Sequence, residues 1–417
     1  MGLRGSVHVP GDKSMTHRAI LFSGLAEGTS RVTNFLSGAD CRASIEAIKA
    51  LGADVELEDG VLKITGVDDV RSGSIDCGNS GTTMRLLLGL LAGREGEFRL
   101  DGDDSLRNRP MDRVRIPLKK MGADIEGDRA PVVVRGNELK GVVYRLPVAS
   151  AQVKSAILLA GLKATGKTTV IEPELSRDHT ERMLPRYGIA VEVLDTDEGR
   201  ELTVHGPAKL RATDVEIPGD PSSAAFFWTA ALLVPDSEIT TKNVLLNPTR
   251  TGFLQVLRQM GASIEIANRR EVAGEEVGDV TVRTQHLHGV VVEGAQIPSL
   301  IDEVPLIALL ATQAEGETVI RDAEELRYKE TDRIDSVASN LKKLGADIET
   351  AADGMRIKGS HLHAGEVDSL GDHRLAMMLA IAGELVGGVE VANKEAVEVS
   401  YPTFYDDLKT LKNRMNG

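Results

Sequence analysis

The sequence predicts an α/β fold assembled from six similar units, and three observations lead there. A segment with helical patterning ends in glycine and passes into an alternating, strand-like segment at Leu51-Gly52-Ala53-Asp54-Val55-Glu56, Met121-Gly122-Ala123-Asp124-Ile125-Glu126, Met260-Gly261-Ala262-Ser263-Ile264-Glu265 and Leu344-Gly345-Ala346-Asp347-Ile348-Glu349, with a weaker copy at Tyr187-Gly188-Ile189-Ala190-Val191-Glu192. Residue pairs suited to helix starts recur at Lys13-Ser14, Asn79-Ser80, Ser150-Ala151, Asp220-Pro221, Asp302-Glu303 and Asp372-His373, at offsets of 66, 71, 70, 82 and 70 residues. Finally, segments 84–92, 156–162, 224–234 and 306–311 are apolar nearly all round, the mark of a buried helix rather than a one-sided surface helix.

Each element has a local reason. Glycine suits the left-handed position just past a helix end, and the apolar/polar alternation after it suits a half-buried strand. Segments 41–51 and 334–344 carry one apolar stripe each and belong outside the buried helices. The halves also echo each other, since Val9-Pro10-Gly11-Asp12 returns as Ile217-Pro218-Gly219-Asp220, 208 residues later. The expected organisation is two lobes of three units, residues 1–12 with 219–417 and residues 13–218, with the active site in the cleft between them.

Composition narrows the function. At 417 residues, with 41% apolar and 27% charged residues, the chain is globular and long enough for more than one core. Its 49 Lys and Arg against 63 Asp and Glu give a net charge of -14, the wrong sign for general attraction to nucleic acid or an anionic membrane. An anionic ligand therefore needs a local cationic pocket. Cys41 and Cys77 are too few for a secreted disulfide framework, the longest apolar run is too short to span a bilayer, and no export signal is evident, so a cytoplasmic protein is expected.

One motif misleads. Gly161-Leu162-Lys163-Ala164-Thr165-Gly166-Lys167-Thr168 fits the phosphate-loop pattern GxxxxGK[ST], but that loop follows a strand and opens a helix. Here the preceding segment is helix-like and the following one strand-like, so an ordinary helix-to-strand turn is expected.

Five other stretches suggest chemistry. Lys13-Ser14-Met15-Thr16-His17-Arg18 puts hydroxyls and cations at a helix start, suited to phosphate or to simple capping. Arg109 precedes Pro110, which favours extended backbone and a projecting side chain. Lys329-Glu330-Thr331-Asp332-Arg333 would put Lys329, Arg333 and Val337 in one helical row, with Arg333 bordering the apolar face, although a solvated charged helix start explains such runs more often. Gly371-Asp372-His373-Arg374 opens an apolar helix with two basic groups, and Asp302-Glu303 reads as an acidic N-cap unless its carboxylate faces a ligand.

Taken together, Pro10-Gly11-Asp12-Lys13-Ser14 through Arg18, Gly78-Asn79-Ser80-Gly81-Thr82 with Arg85, Arg109-Pro110, Ser150-Ala151-Gln152, Lys329-Glu330-Thr331-Asp332-Arg333 and Asp372-His373-Arg374 closely resemble the EPSP synthase (3-phosphoshikimate 1-carboxyvinyltransferase) family over essentially the whole chain. The resemblance implies a two-lobed inside-out α/β barrel with three βαβαββ-type repeats per lobe. It implies transfer of the enolpyruvyl group of phosphoenolpyruvate to the 5-hydroxyl of 3-phosphoshikimate in the shikimate pathway, with no metal or organic cofactor. Lys13, Ser14, Arg18, Ser150, Gln152, Asp302 and Lys329 would bind 3-phosphoshikimate, and Lys13, Gly81, Arg109, Gln152, Arg333 and Arg374 would bind phosphoenolpyruvate. Glu330 would donate the proton, from a carboxyl kept protonated by burial, while Asp302 activates the hydroxyl with help from Lys13. The expected partners are these two small molecules and glyphosate-type inhibitors, not nucleic acid or membrane, and the expected state is a monomer.

Val399 stands where many family members have a phosphoenolpyruvate-binding lysine, Glu325 replaces an asparagine, and His179 a tyrosine. Leu86 follows Arg85 where glyphosate-sensitive members often have proline, which implies altered inhibitor affinity. The competing enzyme reading, a UDP-N-acetylglucosamine enolpyruvyl transferase, commonly uses a loop cysteine, and neither Cys41 nor Cys77 lies in the corresponding 107–109 region. A non-catalytic repeat scaffold is the competing reading of another class.

Overall fold

The computed structural model describes residues 2–413. The chain divides into two compact units, Met1–Pro10 with Pro218–Gly417, and Gly11–Ile217. The second halves of the echoed motif differ only in detail at these crossings: Asp12 accepts from the Met15 amide and Asp220 from the Ser222 amide, each at 2.8 Å, so each caps the helix that follows.

The fold is mixed α/β. Gly73–Asp76 pairs in parallel with Glu97–Asp101 on the far side of helix Gly81–Leu91; Glu97–Asp101 then pairs antiparallel with Val132–Arg135, which pairs antiparallel with Asp124–Glu126. The same order recurs for Val291–Val292, Glu317–Ile320, Gly354–Lys358 and Asp347–Ala351 around helix Val304–Ala311. Three further sheets contain this four-strand order, one of them with a fifth strand, Leu139–Lys140, on the side. The sheet of Gly365–Asp368 and Val389–Ala392 stops at its parallel pair. The sixth expected unit differs from the others: after Val389–Ala392 the described residues form a 3-10 turn, Lys394–Val399, and helix Phe404–Asn413 in place of a hairpin.

The repeated glycines do what their spacing predicts. Gly52, Gly122, Gly188, Gly261 and Gly345 have φ of 108°, 104°, 82°, 97° and 97°. The residue after each donates its N–H five residues back: Ala53 to Ile48, Ala123 to Leu118, Ile189 to Leu184, Ala262 to Leu257 and Ala346 to Leu341, at 2.9 to 3.1 Å. This left-handed cap satisfies helix-end carbonyls that would otherwise lack partners, and glycine adopts it without the strain a Cβ would add. The weaker copy at Tyr187-Gly188 shares it.

The all-round apolar segments are buried helices. Every residue of Pro221–Leu233 is buried, and it packs with Val304–Ala311 and His373–Val386 in one core. In the other unit, Gly81–Leu91 packs against both Lys13–Gly24 and Ala151–Gly161. The GxxxxGK[ST] match lies across the end of Ala151–Gly161 and the start of strand Ala164–Glu172, the reverse of the order a phosphate loop needs. No described helix is long and apolar enough to cross a membrane.

Candidate active site

In the Gly11–Ile217 unit, chemistry-bearing side chains gather at three helix starts. Lys13, first in its helix, holds Asp40 Oδ2 at 2.8 Å. Ser14, half-buried, offers its carbonyl to Arg18 Nη1 at 3.0 Å. Arg18 is only 2% exposed, and Nε and Nη2 donate to Thr180 Oγ1 at 2.7 Å and Ser155 Oγ at 2.9 Å. Its guanidinium is thus oriented by three protein acceptors rather than left as a mobile surface charge.

The second helix start, Gly81, is crowded by arginines. A Cβ there would lie 3.4 Å from Nη1 of both Arg85 and Arg109. Arg85 donates to Gln152 Oε1 and to the Pro110 carbonyl, while Gln152 Nε2 donates to Thr82 Oγ1 at 2.9 Å. Arg109 Nη2 donates to Asn79 Oδ1 at 2.7 Å. Ser150 caps the third helix, accepting from the Val153 amide, which puts it one turn from this group. Gly81, Arg109 and Gln152 therefore converge, joined by Arg85.

A buried chain of hydroxyls ties the first helix to the second. Thr83 donates to Ser80, the cap of Gly81–Leu91, and Ser44 lies 2.7 Å from Thr83 and 2.8 Å from His17 Nδ1. Because Thr83 spends its proton on Ser80, Ser44 must donate to Thr83 and accept from His17, which fixes the Nδ1–H tautomer. Burial pushes the imidazole down to about 4, with Asp40 opposing and Lys13 and Arg18 reinforcing the shift.

The other unit gathers its residues around one guanidinium. Arg333 is 1% exposed; Nε and Nη2 donate to the two oxygens of Asp372 at 2.8 and 3.2 Å, Nη2 also to Glu330 Oε2 at 2.7 Å, and Nη1 to Asp302 Oδ1 at 3.4 Å. Burial disfavours its charge, but the neighbouring carboxylates outweigh burial and hold it above the usual arginine range. Burial likewise works against the Asp372 carboxylate, yet Arg333 holds it below the usual range. Asp372 also caps helix His373–Val386 through the Arg374 amide at 2.9 Å. Arg374 Nη2 stands 3.7 Å from Asp302 Oδ2 and Nη1 3.9 Å from Glu303 Oε1.

Four expectations need correction. Lys329 is not in a helical row with Arg333: the helix begins at Arg333, because Asp332 caps it through the Ile334 and Asp335 amides, and Lys329 is extended. Its Nζ is 3.7 Å from Glu325 Oε1, the glutamate that stands in place of an asparagine. Arg333 is not a solvated charge but a buried one. Asp302 is no N-cap: it lies in a 3-10 turn, the next helix starts after Glu303 with no side-chain cap, and the Asp302 carboxylate faces Arg333 and Arg374. Glu330 is not enclosed in apolar surroundings; its side chain is 23% exposed and tied to Arg333.

Sequence reasoning missed the holders of the ligating groups: Asp40 on Lys13, Thr180 and Ser155 on Arg18, Asp372 on Arg333. No local pattern marks the first three. Asp372 was visible as a helix start, but its second task was not. The arrangement sets cations at partly dried helix starts beside carboxylates able to move a proton, which suits an anionic substrate undergoing acid–base chemistry.

The model of the family described as EPSP synthase (3-phosphoshikimate 1-carboxyvinyltransferase) matches residues 1–408. A 3-phosphoshikimate 1-carboxyvinyltransferase of Geobacillus kaustophilus is 53% identical, covering 98% of both chains, and that of Bacillus subtilis is 49% identical over 99% of this chain and 98% of its own. A solved EPSP synthase structure from Acinetobacter baumannii superposes with TM-score 0.86 at 41% identity, covering 98% of this chain and 96% of that one. The enolpyruvyl transferase NikO from Streptomyces tendae, 20% identical over 99% of this chain and 95% of that one, shares the fold with TM-score 0.81.

Proposed function

The chain belongs to the EPSP synthase family, and from that premise we propose that it transfers the enolpyruvyl group of phosphoenolpyruvate to the 5-hydroxyl of 3-phosphoshikimate, releasing phosphate. The observation that supports this best is Arg333: Glu330 of its own motif and Asp302 and Asp372 from two motifs distant in sequence all bond to it, and Arg374 stands beside the same Asp302.

Both substrates are polyanions. Two unit charges 4 Å apart interact by about 4 kcal/mol at an effective dielectric of 20, against ~0.3 to 1 kcal/mol for a helix terminus. Cationic side chains therefore dominate binding, and the helix starts assist. In this reading Lys13, Ser14, Arg18, Ser150, Gln152, Asp302 and Lys329 serve 3-phosphoshikimate, and Lys13, Gly81, Arg109, Gln152, Arg333 and Arg374 serve phosphoenolpyruvate. Arg18 acts by orienting Ser14 and adding charge, since protein acceptors occupy its fork.

The 5-hydroxyl oxygen attacks the phosphate-bearing carbon of phosphoenolpyruvate as the methylene carbon takes a proton. Loss of a proton from the resulting methyl group and departure of phosphate then leave the enol ether. Asp302 takes the hydroxyl proton with Lys13 assisting, and Glu330 gives the methylene proton. Phosphoenolpyruvate, competing for the Arg333 guanidinium, weakens its contact with Glu330. We assign the finer architecture to the same reading: two lobes of the inside-out barrel type, in which the sixth repeat is reduced to its parallel strand pair, in a cytoplasmic enzyme.

A phosphate-release assay with phosphoenolpyruvate and either acceptor is the direct test. Release is expected with 3-phosphoshikimate and not with UDP-N-acetylglucosamine; release with neither would leave a scaffold, and release with the sugar nucleotide alone would reverse the choice of acceptor.

A further inference from the structure

Regular secondary structure does not determine where Lys329 and Glu330 point. The chain leaves the 3-10 segment Glu324–Tyr328 with Lys329 extended, and the next helix begins only at Arg333. Both ends of this strap are fastened: the Asp322 and Ala323 amides donate to the Asp353 carboxylate and carbonyl at 2.9 and 2.7 Å, and Thr331 Oγ1 donates to Asp372 Oδ2 at 3.1 Å.

The middle of the strap is held by Arg327. Its Nε and Nη2 donate to the carbonyls of Ala352 and Ala351 at 2.6 and 2.7 Å, at the turn between strands Asp347–Ala351 and Gly354–Lys358. Nη1 donates to Asp332 Oδ2 at 2.6 Å, while the other oxygen of Asp332 caps the helix that starts with Arg333. One planar fork thus joins a hairpin turn, the strap and the cap of the Arg333 helix, leaving Lys329 and Glu330 on the short arc between Arg327 and Asp332. An arginine–aspartate pair with the arginine side chain 23% exposed contributes little to global stability. Three donors in a fixed plane nevertheless define a geometry that a flexible ammonium would not.

We propose that Arg327 is a positioning residue for the transfer reaction, setting the place of Glu330 and Lys329 without touching substrate. The inference deepens the reading of Glu330 as proton donor and Lys329 as an acceptor ligand, and rests on it. Displacing a reacting group by about 1 Å can cost on the order of a hundredfold in rate, so the effect should fall on turnover.

The test uses the full chain and phosphate release. Arg327→Met should lower kcat by about ten- to a hundredfold with an unchanged melting temperature. Arg327→Lys, which can still reach Asp332, should recover part of the loss. In a Glu330→Gln background, Arg327→Met should add no further loss in kcat, because its effect passes through Glu330. Wild-type kcat in Arg327→Met overturns the proposal, as does an equal loss in both backgrounds. If Arg327→Met fails to fold, Arg327→Lys carries the same two comparisons. Full turnover by Glu330→Gln alone would remove the donor reading, and amide exchange at residues 329–331 would then decide: faster exchange in Arg327→Met supports the positioning role, and unchanged exchange overturns it.

Discussion

Arg333 and Asp372 form a two-pronged ion pair in which both groups are buried, with Nε–Oδ2 and Nη2–Oδ1 at 2.8 and 3.2 Å and exposures of 1% and 0%. Removing one charge from such a pair leaves the other desolvated and uncompensated, at a cost of about 3–5 kcal/mol. Glu330 and Asp302 would retain part of the compensation in an Asp372→Asn variant, so the lower end of that range is expected, seen as a lower urea midpoint with unchanged m-value. A midpoint equal to wild type would show that Glu330 and Asp302 suffice for Arg333.

Glu330→Gln keeps the shape and a hydrogen-bond partner for Arg333 but cannot give up a proton in the same way. Turnover should fall by roughly a hundred- to ten-thousandfold, the usual range for loss of general acid–base catalysis. Binding of 3-phosphoshikimate and phosphoenolpyruvate, followed by calorimetry, should persist. Unimpaired turnover would remove Glu330 as donor.

The legible part of the molecule was the part fixed locally. A glycine at a helix end needs only its own φ and a bond five residues back, so Gly52, Gly122, Gly261 and Gly345 announced their turns. The Arg333 helix start was misjudged for a local reason as well: Asp332 bonds the Ile334 and Asp335 amides, an alternative to helical backbone pairing that short polar side chains offer. What no window of sequence could show was which motifs meet. Asp302 and Asp372 lie 31 and 39 residues from Arg333, and Asp40 lies 27 from Lys13. Burial of Glu330 was expected from the chemistry required of it, but the residue was visible only as a neighbour of Arg333 in sequence, and folding turns that guanidinium onto its carboxylate at 2.7 Å.

His17 should remain neutral well below the ordinary histidine range. Its folded value is depressed to about 4 from 6.5, so the unfolded chain binds the additional proton between those values. The contribution to stability is therefore complete above about pH 6.5 and is lost as pH falls toward 4, on the order of 3 kcal/mol in all. NMR of the imidazole should show no titration between pH 7 and 5. Protonation near 6.5 in the folded protein would contradict the buried hydroxyl chain.

Gly81→Ala should move stability and function in opposite directions. Gly81 is the first residue of its helix and has an ordinary negative φ, so alanine fits the backbone and stabilises the fold by about 0.4–1 kcal/mol through the unfolded state. The added methyl would stand 3.4 Å from Nη1 of Arg85 and of Arg109, at ordinary contact distance in the unliganded protein but in the space an anion between those guanidiniums would use. The KM for phosphoenolpyruvate should rise by about tenfold, ~1.4 kcal/mol, while that for 3-phosphoshikimate stays near wild type. Steady-state kinetics with each substrate varied in turn separates the two. An unchanged KM for phosphoenolpyruvate would mean that this glycine does not border its binding site.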